Sequence, residues 1–117
     1  MAENHMQLIA EKMLQLGIPA NLKGYHYLRS SIIRCIENPE VATSVTKLLY
    51  PDVAKEFKTT SEKVEHAIQN AIETGWERGD SYIQDEIFGY SNLDEGDKTT
   101  NSEFIAIVAD AIRLQTR

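Results

Sequence analysis

Cysteine, positive charge and long hydrophobic runs are all scarce in this sequence. The only cysteine among 117 residues is Cys35, so no internal disulfide can form and a reducing compartment, the cytoplasm, is expected. No apolar run approaches the roughly 18 residues that a transmembrane helix needs, and the N-terminus lacks the pattern of a secretory signal. A chain of this length can bury enough surface to fold without disulfides. We therefore predict a single globular domain over residues 1–117, with no membrane association.

Lysine and arginine are too few to give the chain a basic surface overall. Twelve basic residues face 18 acidic ones, for a net charge of −6. Residues 1–60 carry seven basic and six acidic residues, whereas residues 61–117 carry five and twelve. This balance argues against nonspecific nucleic-acid binding, which depends on neutralising phosphates.

Motifs for catalysis and for metal or cofactor binding are also missing. The chain has no glycine-rich phosphate loop and no GxSxG nucleophile elbow. His5, His26 and His66 lie too far apart in sequence for a local metal motif, and the acidic stretch at 94–97 lacks EF-hand spacing. We predict neither an enzyme nor a cofactor or metal site. Cys35, on an apolar helix stripe, is expected to be a buried, inert thiol.

What the sequence does contain is helical periodicity from end to end, with nothing typical of a strand. Asn38 before Pro39, Thr60 or Ser61, and Thr100 with Glu103 are predicted helix starts. The polar stretch 90–100 is predicted to be the one long loop. The predicted fold is all-α, winged-helix-like without clear strands, with six or seven short helices around one core. Helices are expected over residues 3–16, 23–37, 39–49, 51–57, from about 61 to 76 or 78, over 80–88 and from 100 or 101 onward.

The predicted core follows from the same spacing. Its inward positions in the first two helices are Met6, Ile9, Met13, Leu16, Leu28, Ile32, Cys35 and Ile36. From residue 41 onward they are Val41, Val45, Leu48, Leu49, Val53, Ala54, Phe57, Val64, Ala67, Ile68, Ala71, Ile72, Trp76, Ile83, Ile87, Phe88, Phe104, Ile107, Val108, Ala111 and Ile112.

Residues 49–76 have the spacing of a DNA-binding helix-turn-helix. A short helix is followed by the polar turn Lys58-Thr59-Thr60 and by a longer amphipathic helix. Many helical hairpins share this pattern. By pattern alone, the polar side of the longer helix is therefore either a nucleic-acid surface or an ordinary solvated face.

From about residue 16 to residue 114, the sequence resembles the C-terminal effector domain of the stage zero sporulation protein A family. Single positions such as Ala54, Phe57 and Trp76 support the resemblance. The stretches that carry it include GIPA (17–20), KGY (23–25), LYPD (49–52), AIE (71–73), FGY (88–90) and TNSEFIA (100–106).

The resemblance implies a cytoplasmic transcription factor that binds double-stranded DNA at short promoter boxes, as a dimer, with the helix at about 61–76 in the major groove. It also implies contact with a sigma subunit of RNA polymerase. Such domains normally follow a phosphorylated receiver domain, and the 117 residues contain none. The sequence is compatible both with a fragment excised from such a regulator and with a stand-alone protein.

The long helix departs from the family at the positions that matter for DNA. The resemblance implies arginines where this chain has Lys63, His66 and Gln69, and a histidine where it has Asn70; Glu65 and Arg78 match. Glutamine and asparagine can make paired hydrogen bonds to adenine, and a carboxylate can accept from cytosine. The predicted base contacts are Lys63, Glu65, His66, Gln69 and Asn70.

Basic residues outside this face are candidates for holding the DNA backbone. The first helix of a helix-turn-helix crosses the backbone, which favours Lys55 and Lys58. The predicted phosphate contacts are Lys47, Lys55, Lys58, Thr60 and Arg78, and Lys23, Arg29 and Arg34 on the second helix could compensate for the missing arginines.

The alternative is a module that keeps the fold but acts through protein partners. From residue 61 to residue 78 there are two basic and four acidic side chains. A positive band formed by Lys47, Lys55, Lys58 and Lys63 would favour DNA. A continuous acidic face from Glu62 to Glu77 would favour a protein partner.

Overall fold

The computed structural model describes residues 2–89 and 99–116, and within them all regular secondary structure is helical. A 3₁₀ turn over Pro39–Thr43 and a π-helical segment over Val45–Leu49 join the second helix to the third. No strand occurs in these two ranges, so the predicted all-α class is confirmed. Residues 90–98 of the loop predicted over 90–100 lie outside the described residues. The α-helices are α1 (Ala2–Gln15), α2 (Lys23–Glu37), α3 (Tyr50–Glu56), α4 (Ser61–Arg78), α5 (Ser81–Phe88) and α6 (Asn101–Gln115).

Side-chain caps start the helices where the sequence predicted. The Asn38 Oδ1 accepts from the Glu40 N–H at 3.2 Å, and the Thr60 Oγ1 accepts from the Lys63 N–H at 3.2 Å. At α6, the Glu103 N–H donates to Thr100 Oγ1 while Glu103 Oε1 accepts from the Thr100 N–H. These bonds satisfy amides that have no partner in the first turn of a helix. Hydrogen bonds from Thr100 lower the pKa of the Glu103 carboxyl.

The core forms around α2, which packs against α1, α4 and α6. Cys35 is fully buried, as predicted. Burial raises the pKa of its thiol to about 11, and the Arg113 charge opposes this only in part. No helix of the described ranges is both long and apolar enough to cross a bilayer. Among the largest fully buried side chains are Ile9, Met13, Leu28, Ile32, Leu49, Ile68, Ile105 and Ile112.

Two residues that the sequence predicted to be in the core, Leu48 and Phe57, are exposed. Leu48 is 50% exposed, because the π-helical bond from the Leu49 N–H to the Ser44 carbonyl widens the turn and shifts the inward face from the 3.6-residue period. Phe57 is 38% exposed. It lies in the turn after α3 and rests edge-on against Tyr27 of α2, with ring centroids 5.1 Å apart.

The buried face of α6 is wider than the predicted stripe. Ile105 and Ala109 are fully buried, whereas Ile107 and Ala111 are only half-buried. The reason is that α6 contacts α1, α2, α4 and α5, so more than one side of it is covered. Trp76, also predicted as core, is half-buried and packs on Phe88 with centroids 5.4 Å apart.

The helix-turn-helix is confirmed as a local structure. Between α3 and α4 the chain turns at Lys58, which has a left-handed φ of 54°, and the Thr59 N–H donates to the Ala54 carbonyl at 2.9 Å. Val53, Ala54 and Val64 are buried where the two helices meet. The first turn of α2 presses on the middle of α4, because Gly24 has no β-carbon to collide with the Ala67 carbonyl.

Candidate nucleic-acid interface

All five predicted base contacts lie on the outer side of α4. Lys63, Glu65, His66, Gln69 and Asn70 are exposed. The opposite side of the same helix is buried in the core, at Val64, Ile68, Ala71, Ile72 and Gly75. The amphipathic spacing thus placed these polar side chains on the surface, as expected for a helix that enters a major groove.

A positively charged groove runs along one flank of this outer side. It has a volume of about 670 Å³ and lies between the start of α2, the turn after α3 and the first half of α4. Tyr27, Phe57 and Ala67 supply apolar surface. We call it the basic groove after the three lysines that give it its charge, Lys23, Lys58 and Lys63. His26 and His66 also line it.

A cleft of opposite character lies on the other flank, where α4 meets the start of α6. Its volume is about 420 Å³, and we call it the acidic cleft after Glu65 and Glu73, which line it with Gln69. Asn101 closes one side: its Nδ2 donates to the Glu65 carbonyl at 3.2 Å and to the Tyr50 hydroxyl at 3.1 Å. Burial raises the pKa of the Tyr50 hydroxyl, and the negative charge of Glu65 adds to this rise. The hydrogen bond from Asn101 acts in the opposite direction but is the weaker effect.

Two buried polar atoms next to the acidic cleft have no partner within the described residues. They are the indole Nε1 of Trp76 and the hydroxyl of Thr99, and both residues line the cleft. Buried donors without a partner carry a desolvation cost. The long helix therefore has neither a uniform positive band nor a continuous acidic face: its two flanks differ in charge.

The structure gathers only some of the predicted phosphate contacts. Lys47, Lys55, Lys58 and Arg78 are all exposed. Lys58 joins Lys63 in the basic groove, which Lys47 and Lys55 do not line. Arg78 ends α4, and 15 residues at 1.5 Å each place it about 22 Å along the axis from Lys63. Thr60, also exposed, uses its oxygen to cap α4.

Two of the three basic residues of α2, Arg29 and Arg34, already make contacts with other side chains of the chain. Arg34 pairs with Glu56 at 2.8 Å, and the Ser30 hydroxyl donates to the same Glu56 oxygen at 2.6 Å. Burial raises the pKa of Glu56, but these hydrogen bonds and the Arg34 charge outweigh it and the pKa is lowered. The guanidinium of Arg29 lies 5.8 Å from the Tyr25 ring centroid.

Lys23 differs from both, since no ion pair or ring contact holds it within the described ranges. Sequence reasoning did not join Lys23 and His26 to α4. The only available signal was Gly24, a residue without a side chain at the start of a helix, which allows close approach of another backbone.

A short helix, a tight turn and a longer helix with an exposed polar face are the features of the helix-turn-helix class of DNA-binding domains. Comparison with known families gives the particular family. The model for the sporulation initiation factor Spo0A, C terminal, matches residues 9–112, and the chain belongs to this family. The resemblance stated from the sequence is confirmed, and with it the role that the family implies: a helical, DNA-binding effector domain of a response regulator that controls sporulation transcription.

Proposed function

We propose that the chain is a sequence-specific DNA-binding domain and that α4 enters the major groove. The observation that carries this is the exposure of five hydrogen-bonding side chains on one side of a recognition-type helix. Residues 1–117 act as one effector domain in the cytoplasm, bind double-stranded DNA as a homodimer on tandem sites, and contact a sigma subunit of RNA polymerase.

Base recognition centres on the amides of Gln69 and Asn70, which suit adenine, with Glu65 accepting from cytosine and His66 making a single hydrogen bond. Lys63 suits guanine or a phosphate. Because arginine is absent from these positions, the target differs from a guanine-rich site. The Nε2 of Gln69 lies 3.4 Å from the Glu73 carboxylate. This is a long contact, and hydrogen bonds from Gln69 to a DNA base would replace it.

Backbone phosphates are held by Lys55 and Lys58 where α3 crosses the duplex. Lys47, Thr60 and Arg78 add contacts at the edges, with Thr60 donating its hydroxyl hydrogen while its oxygen caps α4. With few cations and several carboxylates on α4, specific affinity comes more from base contacts than from electrostatics. Each arginine missing from α4 that would have met a phosphate lowers the slope of log K against log salt by about 0.9.

Fluorescence anisotropy tests this function directly. A labelled duplex with a sporulation-type promoter box is compared with a scrambled duplex at 50 and 200 mM salt, the range over which phosphate contacts act strongly. Saturable binding that prefers the box, and that loses this preference in Gln69→Ala, supports the proposal. Equal binding to both duplexes counts against recognition of that box, and no binding at low salt counts against DNA binding.

The acidic cleft favours a second candidate, a module that docks a protein partner. Glu65 and Glu73 there could pair with a basic side chain, and the Trp76 Nε1 and the Thr99 hydroxyl are unused polar groups beside them. Absence of DNA binding, combined with binding of RNA polymerase that is lost in Glu73→Gln, would favour this candidate.

A further inference from the structure

The basic groove is formed by three segments that are far apart in sequence. Lys23 and His26 come from α2, Lys58 from the turn, and Lys63 and His66 from α4. The close contact between Gly24 and Ala67 brings the first and last of these segments together. An arrangement of this kind, with cations on three sides, suits a polyanion that passes between them.

The cations of the groove are free to bind an external anion. Neither Lys23, Lys58 nor Lys63 forms an ion pair within residues 2–89 and 99–116, and all three side chains are exposed. No acidic side chain of those ranges lines the groove. This contrasts with Arg34, which Glu56 already neutralises.

We infer that the basic groove holds the sugar-phosphate backbone of one DNA strand, with Lys23 and Lys63 as phosphate contacts on its two walls. The inference rests on the proposed function and deepens it. Under this inference Lys63 contacts the DNA backbone, whereas the sequence predicted a base contact. Lys23, which belongs to neither helix of the helix-turn-helix, becomes a further phosphate contact.

Position and shape favour a DNA strand over an acidic peptide. Lys63 and His66 belong both to the groove and to the outer side of α4, so a duplex whose major groove receives α4 has a backbone next to this flank. The apolar surface of Tyr27 and Phe57, rings in edge-on contact, suits the deoxyribose between two phosphates.

A strand in the groove also explains how a domain with six more acidic than basic residues can hold a polyanion. The cations are concentrated on one flank of α4, and the carboxylates Glu65 and Glu73 lie in the cleft on the other flank. Local potential, rather than net charge, governs contact at distances below the Debye length of about 8 to 10 Å.

The experiment measures the salt dependence of duplex binding for three variants of the whole chain. Lys23→Gln and Lys63→Gln remove charge from the groove, and Lys12→Gln removes the same charge from the last turn of α1, outside it. Thermal unfolding followed by circular dichroism shows that each variant is folded. Anisotropy titrations use the box and the scrambled duplex between 50 and 200 mM salt.

We expect Lys23→Gln and Lys63→Gln each to reduce the slope of log K against log salt by about 0.9. Each should weaken binding at 50 mM salt by roughly tenfold, the effect of one lost phosphate contact. The loss should be the same on both duplexes, because phosphates carry no sequence information. Lys12→Gln should leave slope and affinity unchanged.

The outcomes separate the groove from base recognition. An unchanged slope in Lys23→Gln, with preference for the box intact in the wild type, overturns the groove and leaves the proposed function standing. Equal wild-type binding to both duplexes with a reduced slope in Lys23→Gln supports the groove and counts against recognition of that box. If Lys63→Gln weakens binding to the box but not to the scrambled duplex, Lys63 contacts bases and not the backbone. If the wild type binds neither duplex, both the groove and the proposed function are overturned.

Discussion

The α-carbon of Gly24 at the start of α2 lies against the carbonyl oxygen of Ala67 in the middle of α4, so closely that a β-carbon at position 24 would collide with it. This contact sets the separation of the two helices. It thereby sets the width of the basic groove, since Lys23 stands beside Gly24 and Lys63 lies one helical turn before Ala67.

Gly24→Ala should therefore destabilise the protein, although alanine normally stabilises a helix relative to glycine. Overpacking of this kind costs about 1 to 3 kcal/mol, measured as a loss in the free energy of unfolding by urea titration. Lys23→Ala, at the neighbouring exposed position, is the matched control and should change stability by less than about 0.5 kcal/mol. A Gly24→Ala protein as stable as the wild type would show that the helices do not meet as described.

Removing acid from the outer side of α4 should strengthen DNA binding without changing its preference. Glu77→Gln replaces an exposed carboxylate with a neutral amide of similar shape, which reduces repulsion from phosphates. Anisotropy should show tighter binding to the box and to the scrambled duplex alike. Glu37→Gln, at the exposed C-terminal residue of α2, serves as the control, and a gain as large in this variant would point to net charge alone.

Asn70→Ala should narrow the difference in affinity between the box and the scrambled duplex. A paired amide–adenine contact is worth about 1 to 3 kcal/mol of discrimination, and Asn70 is exposed on the side of α4 that we assign to the bases. Thr74→Ala, one turn further along, is the comparison, because its hydroxyl donates to the Asn70 carbonyl at 2.9 Å within the helix. Equal loss on both duplexes in Asn70→Ala would exclude a base-specific role.

The capping box of α6 should make stability depend on pH in the acidic range. The pKa of Glu103 is lowered on folding by hydrogen bonds from Thr100, so its contribution is present above its ordinary pKa of 4.5 and is lost as the pH falls through the lower, folded value. Glu103→Gln should therefore differ from the wild type at pH 7 and approach it near pH 3, in urea titrations at each pH. Thr100→Ala should cost about 1 kcal/mol at pH 7.

A difference between Glu103→Gln and the wild type that stays constant from pH 7 to pH 3 would contradict this role for the carboxylate. Thr116→Ala at the other end of α6 is the control for Thr100→Ala. Within the described residues its hydroxyl bonds only the Ile112 and Arg113 carbonyls at the end of α6, and it makes no N-terminal cap.

Cys35 should be unreactive in the folded protein. It is fully buried, and with a pKa of about 11 roughly one thiol in a thousand is ionised at pH 8, whereas the thiolate is the reactive form. A chromogenic disulfide reagent at pH 8 should therefore react only as fast as the protein unfolds, and at once in concentrated urea. Rapid stoichiometric reaction of the folded protein would show that the α2–α6 interface opens.

Much of the local structure could be predicted because its causes lie within one or two helical turns. The Thr60 cap, the capping box of Thr100 and Glu103 and the end of α4 at Gly79 depend on side chains and amides a few residues apart. The prediction that Leu48 is buried was wrong because it assumed a regular α-helix. The bond from the Leu49 N–H to the Ser44 carbonyl creates a π-helical turn, which departs from the 3.6-residue period.

The sequence by itself determined the helices, the family and the set of polar side chains on the outer side of α4, since periodicity and residue identity suffice for these. Only the tertiary structure decided which of those side chains act together. Lys23 and Lys63 are forty residues apart in sequence and share one groove, while Glu65 faces a cleft formed with α6. Such groupings depend on helix packing, here on a glycine small enough to let α2 touch the α4 backbone, and that distance is a property of the folded core.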